Sequence, residues 1–125
     1  KAYIVRHGEK IAILAFGPLL HMAQQAAQDN NATLVDMRWV EPLDEVLLKE
    51  LSQSHDYFVT LEDSSIAGGA GSAVSEWFSA HNLAPQVLHL GLPDLFIDHG
   101  DVSTLLASHG LSADTISSTV AHFVA

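Results

Sequence analysis

Two neighbouring carboxylates, Glu62 and Asp63, end an apolar run and stand just before a glycine-rich segment. A carboxylate pair could act as an acid and a base. Adjacent residues at a strand end point to opposite sides, however, so only one is expected to reach any given site. The nearby Gly68, Gly69 and Gly71 let the backbone take positive φ or approach a neighbour closely. This glycine corner therefore predicts either a phosphate cradle at a helix amino end or a point of close packing.

The corner fits a phosphate cradle poorly. It holds two glycines of the three-glycine dinucleotide fingerprint, the third place falls on Val74, and no Gly-Lys-Ser/Thr follows as a P-loop requires. Glu62 and Asp63 would also repel a phosphate unless a cation stood between them. We therefore favour close packing of chain against chain and keep small-anion binding as the alternative.

A second polar group lies in the segment 91–101, where Asp94, Asp98, His99 and Asp101 crowd together. Carboxylates with a histidine could bind a divalent metal. The spacing matches neither an EF-hand nor His-Glu-x-x-His, so turn and capping roles for these aspartates are favoured. Nucleophilic catalysis lacks a signal as well, because there is no cysteine and no Gly-x-Ser-x-Gly elbow.

Arg38 is one of only five basic residues, and it follows the end of a predicted strand. It is expected to lie near Asp36, Glu41 and Glu62. An ion pair that fixes neighbouring strand ends is the favoured role, and recognition of an anion is the alternative.

Composition limits the function classes. The 125 residues carry a net charge of −10 and no cysteine, and the chain holds no apolar run of the roughly 20 residues that a membrane span needs. Five scattered basic residues argue against nucleic acid or an anionic membrane as a partner. The chain is expected to be free of disulfides, and the missing initiator methionine hints at a piece of something longer.

Strand and helix patterns alternate along the chain. Strands are predicted over 3–5, 11–16, 33–37, 57–61 and 85–90, and helices after Pro18 and over 43–51, 72–80, 102–108 and 112–124. This rhythm predicts one domain over 1–125, a three-layer α/β/α sandwich. Its sheet has about five strands, mostly parallel, with one antiparallel edge strand at 3–5. In the helix over 43–51 the side chains of Leu43, Val46, Leu47 and Leu51 are expected to face inward, and Ser112 is expected to cap the last helix.

Three motifs carry a family resemblance. They are the segments 10–17 with 32–44, the Ser-His-Asp at 54–56 with 59–63 leading to 68–74, and Gly-Leu-Pro-Asp-Leu-Phe-Ile-Asp-His-Gly at 91–100. Together they resemble the carboxy-terminal domain of transketolase-like enzymes that use thiamine diphosphate, and within that superfamily the 1-deoxy-D-xylulose-5-phosphate synthases. The resemblance covers essentially the whole chain.

The resemblance implies an enzyme whose catalytic machinery lies in other domains. Those domains bind thiamine diphosphate and Mg²⁺, and the whole enzyme condenses pyruvate with glyceraldehyde 3-phosphate, losing carbon dioxide, to supply isoprenoid, thiamine and pyridoxal synthesis. The carboxy-terminal domain is expected to support a homodimer in the bacterial cytoplasm or the plastid stroma. It is expected to be catalytically silent alone, with no cofactor of its own and neither nucleic acid nor membrane as a partner.

No catalytic position of the family maps onto this chain. Arg38, Glu62, Asp63, Gly68, Gly69, Gly71, Asp94 and His99 are instead expected at an interface or behind a site. Asp63 and Ser64 depart from the glutamate and asparagine of the family pattern, which favours packing over one catalytic geometry. An interface at the glycine corner predicts that valine at Gly69 or Gly71 weakens dimerisation or cofactor retention without unfolding the domain.

Two alternatives remain. One is the equivalent domain of a transketolase or of a 2-oxo acid dehydrogenase β subunit, against which the Gly-Leu-Pro-Asp-x-Phe stretch argues. The other is a stand-alone module that binds a small anion at the glycine corner.

Overall fold

The computed structural model describes residues 1–38, 43–63, 69–92 and 112–125. In chain order the described elements are β1 (Tyr3–Arg6), β2 (Lys10–Phe16), a 3-10 helix (Gly17–Leu19), α1 (Leu20–Asp29), β3 (Thr33–Arg38), α2 (Glu45–Ser52), β4 (His55–Asp63), α3 (Ala70–Ala80), β5 (Gln86–Leu92) and α4 (Ala113–Val124). The predicted helix over 102–108 lies outside the described residues.

The five strands form one sheet in the order β1-β3-β2-β4-β5. β2 pairs in parallel with β3 and with β4, and β4 pairs in parallel with β5. β1 is an edge strand and pairs antiparallel with β3. The predicted sheet, mostly parallel with one antiparallel edge, is confirmed.

Helices cover both faces of the sheet because the buried strands are apolar on both sides. Along β2, Ile11, Ile13 and Ala15 belong to the core layer that holds α1 and α4. The alternate residues Ala12, Leu14 and Phe16 belong to the layer under α2 and α3. The three-layer prediction is therefore confirmed.

The inward face predicted for the second helix is partly wrong. The helix begins at Glu45, with Asp44 as the capping residue whose carboxylate accepts from the Leu47 N–H, so Leu43 lies outside it. Leu48 and Leu51 are the buried residues of α2, whereas Val46 is 72% exposed. Val46 lies about 200° around the helix from Leu48, so it points away from the sheet that Leu48 packs on.

The last helix begins as predicted. The Ser112 hydroxyl accepts from the Thr115 N–H, and the Thr115 hydroxyl accepts in return from the Ser112 N–H. Such a reciprocal cap satisfies two amides that the helix leaves unpaired. Within the four described ranges, no helix is long and apolar enough to cross a membrane.

Candidate functional site

The carboxyl ends of β2 and β4 mark the point where the connections diverge to opposite sides of β2, the usual place for a site in an open α/β sheet. Here β4 ends on Glu62 and Asp63, and α3 begins shortly afterwards at Ala70. The half-buried Glu62 carboxylate accepts a hydrogen bond from the Gly71 N–H, with 3.0 Å between Oε2 and N. The position at the α3 amino end that an external anion would take is therefore filled by the chain's own carboxylate.

Gly69 precedes α3 and has φ of 58°, a left-handed conformation that disfavours side chains larger than hydrogen. Its carbonyl oxygen accepts from the Ala73 N–H at 3.1 Å, which starts the helical hydrogen bonds. Gly69 thus turns the chain into α3. Gly68 lies outside the described residues.

Gly71 is the point of close approach in the glycine corner. A Cβ added there would lie 2.5 Å from His89 Nδ1 and 2.9 Å from Thr60 Oγ1. Both neighbours belong to this domain, on β5 and β4, so the tight contact at Gly71 holds α3 against its own sheet. A role for Gly71 at an interface with another chain stays a prediction.

The strand residues beneath α3 form a hydrogen-bonded chain that sequence reasoning missed. His89 lies 2.6 Å from the buried Thr60 hydroxyl through Nδ1 and 2.9 Å from the Ser75 hydroxyl through Nε2. Thr60 and His89 are paired across β4 and β5, so the register of these strands is what joins them. No pattern in the sequence predicted that strand register.

This arrangement resembles a nucleophile, base and orienting group, but the third group is a hydroxyl and not a carboxylate. Within the described ranges the buried Thr60 hydroxyl is hydrogen-bonded to His89 Nδ1, and the Ser75 hydroxyl lies at Nε2. A hydroxyl carries no negative charge that would stabilise a protonated ring. The cluster ties β4, β5 and α3 together.

Arg38 lies at the end of β3, next to Asp36 of the same strand. The Arg38 N–H donates to Asp36 Oδ1 at 3.0 Å, and Arg38 Nε is 3.7 Å from Asp36 Oδ2. The guanidinium also lies 4.8 Å from the centre of the Tyr3 ring on β1. Arg38 therefore links the antiparallel edge strand to β3, while the described hydrogen bond of Glu62 goes to α3 instead. Glu41 lies outside the described residues.

The side chains of the remaining predicted site residues lie outside what the structure describes. Asp94 and His99 lie outside the described residues, and for Asp63 only the backbone is described. Among the described residues, no group of three or more metal-binding side chains could hold an ion. Glu62 at the α3 amino end makes that position unfit for a diphosphate without an intervening cation.

A second polar cluster, which sequence reasoning missed, lies at the amino ends of the strands. His55 is 9% exposed, with Nε2 2.7 Å from the Thr33 hydroxyl and Nδ1 3.0 Å from the Leu51 carbonyl oxygen. The Thr33 oxygen also accepts from the Gly8 N–H at 2.9 Å. A cavity of about 590 Å³ borders these residues at the amino ends of the strands. Because their polar atoms are satisfied within the chain, the cluster supports the fold.

Replacing Glu62 with alanine is expected to lower the free energy of unfolding by about 1 kcal/mol, because the α3 amino end loses its capping carboxylate. Inorganic phosphate should then stabilise the variant more than it stabilises the unmodified chain. Thermal unfolding with and without phosphate measures both effects. The exposed Glu76 on the same helix provides the control. Equal losses of stability and equal responses to phosphate in Glu62→Ala and Glu76→Ala would contradict the capping role.

The family model described as "Transketolase, C-terminal domain" matches residues 1–116. The chain belongs to this family. It is 54% identical over 113 residues to a 1-deoxy-D-xylulose-5-phosphate synthase from Acidovorax sp. (strain JS42), which covers 90% of the chain. It is 48% identical over 124 residues to the enzyme of the same name from Pseudoalteromonas translucida (strain TAC 125), which covers 99% of the chain. The predicted resemblance is confirmed.

The described residues share the fold of a solved relative. A solved structure titled as a split gene transketolase, an inactive β4 tetramer, is 30% identical, with a TM-score of 0.78 over 98% of this chain and 40% of that one. The chain spans about a fifth of the length of the curated relatives it matches, 18% and 20% of the two synthases. It corresponds to one domain of those larger proteins.

Proposed function

We propose that this chain is the carboxy-terminal domain of a 1-deoxy-D-xylulose-5-phosphate synthase. The whole enzyme condenses pyruvate with glyceraldehyde 3-phosphate, with loss of carbon dioxide. The single observation that carries this proposal is identity of about half of the residues over nearly the whole chain to synthases of that name.

The domain's part in that enzyme is assembly. Its candidate groups are engaged within the domain: Glu62 caps α3, His89 links two strands to α3, and Arg38 pairs with Asp36. Groups held in this way support a scaffold that other domains and a second subunit pack against. Alone, the chain turns over no substrate.

Thiamine diphosphate and Mg²⁺ are then bound by the other domains of the same enzyme. The cofactor supplies the carbanion chemistry when bound, and the protein positions and shields it. Support for a location outside this domain comes from Glu62, whose negative charge stands at the helix amino end that would suit a diphosphate. The enzyme works as a homodimer in the cytoplasm, or in the plastid stroma of a plant.

An activity assay of the full-length protein that carries this chain tests the proposal. With pyruvate, glyceraldehyde 3-phosphate, thiamine diphosphate and Mg²⁺, we expect release of carbon dioxide together with the five-carbon phosphate product. Omitting pyruvate is the control for background release. The 125-residue chain alone should give no product under the same conditions. A full-length protein that is folded, loaded with cofactor and inactive on this pair would overturn the proposal.

A transketolase is the second candidate, because the solved relative with 30% identity carries that name. It would transfer a two-carbon unit from a ketose phosphate to an aldose phosphate and release no carbon dioxide. The same assay with those substrates separates the two activities. A stand-alone anion-binding module is disfavoured, since Glu62 occupies the α3 amino end that such a module would use.

A further inference from the structure

An exposed apolar residue, Val46, lies on α2 on the side away from the sheet, and its side chain is 72% exposed. Leu43 and Leu47 lie on one side of it and Leu83 on the other, all three partly buried against the core. The buried Trp77 borders the same hollow as Leu83. We call these five residues the α2 surface. A single exposed valine needs no explanation, but a contiguous set flanked by cavities marks an interaction surface.

Two hollows flank Val46, and together they form a groove across α2. The first, about 630 Å³, is bordered by Lys1, Ala2, Leu43 and Leu47 as well as Val46. The second, about 450 Å³, is bordered by Trp77, His81 and Leu83 together with Val46. Val46 is therefore a low ridge between two partly apolar hollows, which suits an apolar segment that straddles it.

Two polar side chains at the second hollow, Trp77 and His81, already have partners within the domain. The Trp77 indole N–H donates to Glu45 Oε1 at 2.9 Å, and the His81 ring stacks on Trp77 with 4.1 Å between ring centres. His81 Nδ1 lies 2.8 Å from the Trp77 carbonyl oxygen. Lys49, Ser52 and Gln53 border the same hollow and give it a polar rim, so burial of apolar area at Val46 and Leu83 would supply the favourable part of the binding free energy.

The start of the chain is fixed at the first hollow. Ala2 is buried, and its N–H donates to Asp44 Oδ2 at 3.2 Å, just before α2 begins. Any polypeptide joined to Lys1 therefore leaves the domain at this groove. The family is a carboxy-terminal domain, and the matched relatives are about five times longer, so on the proposed function most of the enzyme lies on the amino side of Lys1.

We propose that the α2 surface is the docking site for the part of the same subunit that immediately precedes this domain in the full-length enzyme. The inference rests on the proposed function. A covalent connection that emerges at the groove gives the preceding segment an effective concentration of roughly millimolar or more, so even a modest apolar groove is occupied. The expected occupant is an apolar segment that covers Val46 and fills both hollows.

A second copy of this domain fits the groove less well. Two copies related by a two-fold axis would set the same surface against itself. Both copies would then bring the carboxylates Asp44, Glu45 and Glu50 into one interface, with Lys1 as the cation that borders the same hollow. Like charges placed together across an interface disfavour association, and the net charge of −10 adds to the repulsion.

Photo-crosslinking in the full-length protein identifies the occupant. A benzophenone amino acid replaces Val46, and a matched variant carries it at Val5, an exposed valine on β1. Subunits labelled with heavy and light isotopes are mixed, so that crosslinks within and between subunits differ in mass. We expect the position 46 probe to join a peptide that precedes Lys1 in the same subunit, and the position 5 probe not to do so.

Every other result at position 46 overturns the proposal. A crosslink to this domain of a second subunit, a crosslink to a preceding segment of the partner subunit, or no crosslink would each do so. Because the readout needs no turnover, an inactive enzyme with the expected crosslink would contradict the proposed function and leave the docking site intact. An active enzyme without the crosslink would contradict the docking site alone.

Thiol labelling gives a second measurement with a smaller change of side chain. The chain contains no cysteine, so Val46→Cys and Val5→Cys each place a single thiol in this domain. Since thiol reactivity follows exposure, labelling of Cys at 46 is expected to be about tenfold slower in the full-length protein than in the 125-residue chain, with little change at 5. Equal rates at 46 in the two proteins would overturn the proposal. Circular dichroism of the 125-residue chain verifies that it is folded during the comparison.

Discussion

Replacing Gly8 with alanine is expected to lower the free energy of unfolding by about 3 kcal/mol or more, among the largest effects of any single methyl group in this domain. A Cβ at Gly8 would overlap the backbone of Asn31 and Ala32 and would lie 2.6 Å from the Ala32 oxygen. Backbone atoms cannot rotate away as a side chain can. The turn between β1 and β2 would have to move away from the start of β3. That movement would weaken the hydrogen bond from the Gly8 N–H to the Thr33 hydroxyl.

Urea unfolding followed by tryptophan fluorescence measures this loss. His7→Ala is the control, because His7 is the exposed neighbour of Gly8 and its replacement should change stability by less than about 0.5 kcal/mol. A Gly8→Ala chain that fails to accumulate in folded form agrees with the prediction. Stability equal to that of the His7→Ala control would contradict it.

Replacing Gly71 with alanine is expected to lower the free energy of unfolding by about 1 to 3 kcal/mol. The sign is informative, because alanine normally stabilises a helix by up to about 1 kcal/mol relative to glycine. At Gly71 the added Cβ would press on His89 and on the buried Thr60, 2.5 and 2.9 Å away. If the His89 ring moved to make room, the Thr60 hydroxyl would lose its partner in a site with no solvent exposure.

A double-mutant cycle separates this steric effect from a general effect on α3. His89→Ala removes the ring that a Cβ at Gly71 would meet, so the Gly71→Ala penalty should shrink by about 1 kcal/mol in the double variant. Ser72→Ala, at an exposed position of α3, serves as the control. A penalty unchanged by His89→Ala would place its origin elsewhere.

The Gly71 contact changes one expectation drawn from the sequence. An interface at the glycine corner predicted that valine there would weaken dimerisation or cofactor retention and leave the domain folded. Since the close neighbours of Gly71 belong to the domain itself, valine at this position should destabilise the domain directly. At Gly69, where a Cβ would meet the Ser72 side chain at 3.2 Å, the positive φ is the main obstacle to valine. Both effects have to be measured before any change in assembly is assigned to an interface.

Most of the fold could be predicted because local patterns decide it. Apolar runs such as Ile11 to Phe16 have no polar side, which already implies a strand covered on both faces. Pro18 and Ser112 mark helix starts through their own backbone and hydroxyl chemistry. Strands alternating with helices then restrict the sheet to a mostly parallel one. The error at Val46 was one of helix phase, because Val46 lies two residues and therefore about 200° around the helix from the buried Leu48.

The candidate site could be predicted only as a region. Glu62 lies at a strand end and Gly69 just before a helix start, and both positions follow from the order of elements. Their roles depended on partners in other elements. Glu62 accepts a hydrogen bond from Gly71, and Gly71 packs closely against His89 and Thr60. The His55 cluster was missed for the same reason, because its partner Thr33 lies on another strand.

The sequence by itself determined the class of fold, the family and the ends of most elements, because hydrophobic period, capping residues and glycine positions act over a few residues. The tertiary structure alone decided which side chains meet. It set the β4 and β5 register that pairs Thr60 with His89, turned the Glu62 carboxylate onto α3, and left Val46 uncovered. Strand register and helix phase depend on how whole elements pack. Local sequence patterns hardly distinguish alternatives that differ by one or two residues, yet such a difference reverses the face on which a side chain lies.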